Sequence, residues 1–186
     1  KALKGYGPGT IEQALIATLN FATVVVSGRL LGPPAFAAFV VLMGVLNLSL
    51  TAVGTVLCDP VLVLIRKSYL ESTALYLRRL DLMIIVIGGA VTAVAIFGVR
   101  IFDASISLPA GGAATLALIG WMSYELRRKF AFATGQTHRL LYCPATVLSV
   151  AVLGSILVAV LHTRSPAAML LVLASPYGAG AIAFRI

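Results

Sequence analysis

Polar side chains recur at fixed intervals in two otherwise apolar stretches of this 186-residue chain. Gln13, Asn20 and Ser27 come seven residues apart, with Glu12 and Thr23 flanking the same side, and Asn47, Thr51, Thr55 and Asp59 come four apart. On a helix, each spacing gathers its members along one face, the second set drifting slowly around it. Amides, hydroxyls and carboxylates so arranged solvate and hydrogen-bond a hydrophilic guest, and no covalent chemistry is implied. A third cluster, Glu125, Arg127, Arg128 and Lys129, closes the oily run Gly111–Gly120, in which Thr115 is the one residue that is neither apolar nor glycine. Such a cluster either attracts an anion or marks the edge of a membrane.

Composition decides what must position these residues. Hydrophobic residues make up 60% of the chain and charged ones 11%, against a usual charged share of about 25%. Mean hydropathy is +1.05. A soluble domain has no means of hiding so much apolar surface, so the chain reads as a membrane protein. Its net charge of +8 then reflects basic loops on one side of a bilayer rather than nucleic-acid binding. Cys58 and Cys143 sit in apolar runs without C-x-x-C or His/Cys clustering, so they read as packed or lipid-facing thiols, and neither a metal nor another cofactor is expected.

Crossing a hydrocarbon core of about 30 Å takes about 20 helical residues. Six segments reach that length: 10–31, 35–64, 80–101, 110–131, 140–161 and 167–186. Thr10 is positioned to cap the first, Gly32–Pro34 to end it, and Pro60 to kink the second. Short connections favour an all-α, up-and-down bundle with antiparallel neighbours. With the amino end in the cytoplasm, Lys1, Lys4, Arg66, Lys67, Arg78, Arg79, Arg127, Arg128, Lys129, Arg139 and Arg185 fall on the cytoplasmic side. That is 11 of the 14 basic residues, leaving Arg29, Arg100 and Arg164 outside.

Embedded polar residues cost free energy in lipid, about 2.5–3.5 kcal/mol for a charge at the centre, so the two stripes should face protein or a wet cavity. The bland reading of each Ser, Thr or Asn is interhelical hydrogen bonding. For Asp59 and Glu12 it is solvation near a helix end, and for Arg29 snorkelling to the interface, against attraction of an anionic substrate. His138 and His162 read as solvated loop residues. Gly28 and Gly32 form a G-x-x-x-G, a common device for close helix packing. Glycines and prolines from Gly88 to Gly180 interrupt the later segments, as in bendable transporter helices.

Three stretches carry a resemblance: "NFATVVVSGRLLGPPAFAAFVVL" from Asn20, "DPVLVL" from Asp59 and "SYELRRKFAFATGQ" from Ser123. Together they resemble the amino-terminal half of polysaccharide transporters, the O-antigen and exopolysaccharide flippases of the multidrug/oligosaccharidyl-lipid/polysaccharide exporter superfamily. Arg29, Leu31 and Gly32 match the turn after that family's first helix. Glu125, Arg127, Arg128, Phe130 and Ala131 match the end of its fourth, with one residue fewer between the acid and the arginines.

The resemblance implies one six-helix lobe of a twelve- or fourteen-helix transporter in the bacterial cytoplasmic (inner) membrane. Such a transporter moves a lipid-linked oligosaccharide on a polyprenyl-diphosphate carrier by alternating access, without enzymatic turnover, for surface polysaccharide synthesis. The substrate-path candidates are then Glu12, Gln13, Asn20, Arg29, Asn47, Thr51, Thr55, Asp59, Glu125, Arg127 and Arg128, in contact with membrane lipids and a coupling cation or proton. Starting at Lys1 and stopping after an apolar run, the chain reads as a fragment whose missing carboxy-terminal half supplies the second lobe. The alternatives are a cation-coupled multidrug or toxic-compound antiporter of the same superfamily, or a non-transporting membrane scaffold or enzyme subunit.

Overall fold

A Gly-Pro-Pro turn joins the first two helices. Gly32 is extended, at φ −67° and ψ 163°, and the two prolines after it fill the first helical positions, where a missing N–H costs nothing. The computed structural model describes residues 6–60, 73–102, 107–136, 139–160 and 165–183, and it is all-helical over them. Glu12 lies on the first helix with its side chain outside the described set. Arg66, Lys67, His138, His162, Arg164 and Arg185 also lie outside it.

Six helices follow one another among the described residues. α1 is Tyr6–Leu30 and α2 is Pro33–Val53, which continues through a π turn, Gly54–Cys58, to Pro60. α3 runs Thr73–Met83, passes through a second π turn, Ile84–Gly88, and resumes as Gly89–Phe102. α4 is Leu108–Thr134, α5 is Arg139–Val160 and α6 is Pro166–Ala183. One local expectation is corrected and another takes a specific form. Thr10 sits inside α1 rather than at its cap, because the helix begins at Tyr6 and tolerates Pro8 in its first turn. Before Pro60 the helix widens into the π turn, with the Asp59 N–H donating to the carbonyl of Gly54. A regular α turn there would press the proline ring on the carbonyl of Val56.

α4 is the central element. One side packs along α6 and the other meets α2 and α3, while α5 lies on α6 and α1 on α5. Phe39, Leu42 and Leu46 of α2, Ile84 of α3, Leu118, Met122 and Leu126 of α4 and Leu170 of α6 are fully buried in the larger core cluster. Small residues let α4 and α6 approach: a Cβ on Gly120 would lie 3.3 Å from the carbonyl oxygen of Ala174 and the nitrogen of Gly178. In the G-x-x-x-G at 28–32, a Cβ on Gly28 would meet the Phe36 ring of α2 at 3.5 Å, ordinary contact across the turn, and one on Gly32 would meet nothing within 4 Å. α4 ends in a Schellman turn, with Gly135 at φ 72° and the N–H groups of Gly135 and Gln136 returning to the carbonyls of Phe132 and Ala131.

Among the described residues, three segments are long and apolar enough to cross a membrane: Gln13–Leu30, Pro33–Cys58 and Leu75–Gly98. α5 and α6 carry shorter apolar stretches, Ala145–Val158 and Pro166–Ile182. Phe21, Leu48, Val94, Phe97 and Leu153 point outward and are largely exposed, a surface suited to lipid rather than water.

Candidate functional site

The π turn in α2 aligns the polar stripe. In a regular helix, residues four apart drift around the axis because a turn takes about 3.6 residues. The wider π turn at Gly54–Cys58 offsets that drift, so Thr51, Thr55 and Asp59 open on one cleft. Thr51 donates its hydroxyl to the carbonyl of Asn47 at 2.9 Å, and Thr55 to that of Thr51 at 2.8 Å. With those protons spent on the backbone, both hydroxyls present lone pairs to the cleft.

α1 forms the facing wall. It leans on α5 and touches α2 sparingly, which leaves a cleft of about 410 Å³ between α1, α2 and α4. Gln13 and Asn20 enter it from α1, Thr51, Thr55 and Asp59 from α2, and Trp121, Glu125, Arg128 and Lys129 from α4. Seven of the eleven sequence candidates therefore share one cavity, although they lie on three helices. Asn20 is fixed by Tyr177 of α6, whose hydroxyl donates to Oδ1 at 3.1 Å, leaving the amide NH₂ as a donor. Tyr177 in turn stacks on Trp121, with ring centroids 4.7 Å apart and planes 6° apart, and meets Tyr124 edge-on at 5.7 Å.

The charges at the cleft mouth cancel. Arg128 Nη2 lies 2.5 Å from Glu125 Oε1 within α4, and Lys129 reaches across to the Asp59 carboxylate on α2 while its Nζ stays 3.6 Å from Glu125 Oε1. Two carboxylates and two cations leave no net charge. Arg127 points elsewhere. Its guanidinium holds Asp81 of α3 through Nη2–Oδ2 at 2.6 Å and Nη1–Oδ1 at 3.0 Å, and also donates to the carbonyl of Ser123 at 2.9 Å. The cleft thus offers acceptors on α2 and amide donors on α1, with its charges paired against one another.

Two other candidates lie apart: Asn47 is exposed one turn before Thr51, and Arg29 is exposed at the end of α1. The Glu12 side chain is outside the described residues. Ser27, on the same stripe as Gln13 and Asn20, is fully buried and away from the cleft. Sequence reasoning placed Lys129 in the cluster at the end of α4 but not among the substrate-path residues, and it missed Trp121, Tyr177 and Asp81 as participants. Asp81 carried a usable signal, a carboxylate at the start of an apolar run that requires a cation. The aromatic pair carried none, since Trp121 and Tyr177 meet only after α4 and α6 have packed. Compared with known family models, curated proteins and solved structures, the chain matches none.

Proposed function

We propose that this chain is the amino-terminal six-span lobe of an exporter that carries a lipid-linked oligosaccharide across the bacterial cytoplasmic membrane. The observation that carries the reading is the polar cleft between α1, α2 and α4, two of whose walls, α1 and α2, are otherwise long and apolar. A hydrophilic cavity costs free energy inside lipid unless something hydrophilic passes through it. The helices rock between inward-open and outward-open states, the sugar head travels in the cleft, and the lipid tail stays in the bilayer. The neutral balance of Asp59, Glu125, Arg128 and Lys129 favours uncharged sugars there. Attraction of the diphosphate falls to the exposed bases Arg78 and Arg79, since Arg127 is committed to Asp81. A coupling cation or proton is exchanged at Asp59 and Glu125 as Lys129 lets go.

The test is genetic. A bacterium that lacks the full-length protein should lose its surface polysaccharide and accumulate the lipid-linked precursor on the cytoplasmic leaflet. Normal surface polysaccharide in that strain, or its loss without precursor accumulation, would rule the reading out. Sensitivity to toxic organic cations with intact polysaccharide would instead favour the antiporter.

A further inference from the structure

A second recess opens at the other end of α4, between Leu108–Thr115 and the last turns of α3. It measures about 340 Å³, with Ala93, Phe97 and Arg100 on one side and Gly111, Gly112 and Thr115 on the other. The paired glycines make the slot. Gly111 is buried, where a Cβ would come within 3.0 Å of Ile96, so the two helices close tightly below it. Gly112 beside it is exposed and a Cβ there would meet nothing within 4 Å, so the space above stays open. Phe97 and Leu108 form an apolar rim, 70% and 73% exposed.

Arg100 gives this slot a chemical identity. It is partly buried in the last turn of α3 and makes no ion pair with any described residue, whereas Arg127 and Arg128 each hold a carboxylate. The Thr115 hydroxyl is turned to the carbonyl of Gly111, 3.1 Å away. The carbonyl end of α3 favours a cation at this position but leaves the guanidinium fork unfilled. That fork matches the geometry of a phosphate.

We propose that the slot seats one acyl chain of an anionic phospholipid whose phosphate is held by Arg100. The site is separate from the polar cleft and does not depend on the transport reading. Charge complementarity selects the occupant: a cation at the mouth of an apolar slot, on a helix whose segment Leu75–Gly98 is long and apolar enough to cross a membrane.

The test is native mass spectrometry of the purified chain released from detergent and titrated separately with phosphatidylglycerol and phosphatidylcholine. The expected result is one saturable phosphatidylglycerol adduct, with phosphatidylcholine about tenfold weaker or more, because its choline cation sits beside the same phosphate and offsets the attraction of Arg100. Arg100→Gln should remove the adduct by taking the cation. Gly112→Leu should remove it by filling the slot, and because that position faces open space the fold should be kept. Equal binding of the two lipids overturns the proposal, and so does an adduct that survives in either variant.

Discussion

Arg127 of α4 grips Asp81 of α3 with both terminal nitrogens, at 2.6 and 3.0 Å, while Arg128, one residue on, faces the polar cleft and Glu125. Adjacent positions on a helix point about 100° apart, so neighbouring arginines serve different neighbours. The basic trio at the end of α4 is therefore two devices, one clamping α4 to α3 and one closing the cleft against α2.

Arg127→Gln takes the bidentate guanidinium away from Asp81 and should destabilise the chain by about 1.5–3 kcal/mol. Removing both charges together, as Arg127→Leu with Asp81→Leu, should recover most of that loss. Arg128→Gln takes away an i,i+3 partner of Glu125 within one helix, a pair worth about 0.2–0.5 kcal/mol, and should cost less than Arg127→Gln. Unfolding in mixed micelles measures all three. Equal losses for Arg127→Gln and Arg128→Gln would refute the division of labour.

Tyr177→Phe keeps the stack on Trp121 but deletes the hydrogen bond to Asn20. The expected cost is about 0.6 kcal/mol, the average for polar contacts between membrane helices. Trp121→Ala removes the stacked ring and should cost about 3–5 kcal/mol. Denaturant midpoints of the two variants provide the comparison, and a larger loss for Tyr177→Phe would show that the wall is held by polarity rather than packing.

Glycines should separate by what surrounds them. A Cβ at Gly180 would fall 2.6 Å from Val147 Cγ2 and 2.9 Å from the Tyr124 ring, so Gly180→Ala should cost about 1–3 kcal/mol. Gly112→Ala meets open space within α4 and should be neutral or stabilising by up to about 1 kcal/mol. Thermal unfolding of both variants reads the opposite signs.

Cysteine labelling tests which face of α2 is wet. With Cys143→Ala and the fully buried Cys58 retained, Thr51→Cys and Thr55→Cys should react with a membrane-impermeant thiosulfonate. Leu48→Cys and Val56→Cys, on the outward apolar face, should not. Equal labelling of all four would mean that α2 does not cross a bilayer.

The sequence made the helices and their wet faces readable, because a polar residue in an apolar run has few ways to be tolerated. Gln13 with Asn20, and Thr51 with Thr55 and Asp59, could be placed on their faces from spacing alone. Which face meets which neighbour was hidden. The Arg127–Asp81 clamp spans 46 residues and the Tyr177–Asn20 bond 157, and each depends on how helices rotate and order around α4. The π turns were also hidden, since Pro60 predicts a local disturbance but not that widening would be its form.

The most direct measurement is translocation of a lipid-linked oligosaccharide by the full-length protein in proteoliposomes, with Thr55→Trp set against Val56→Trp. The first places an indole in the cleft and the second places one on the outward apolar face, one residue away. Transport by the unsubstituted protein and by Val56→Trp, with a fall of about tenfold or more for Thr55→Trp, is the predicted result. Undiminished transport by Thr55→Trp, or none by the unsubstituted protein, would contradict the cleft as the path.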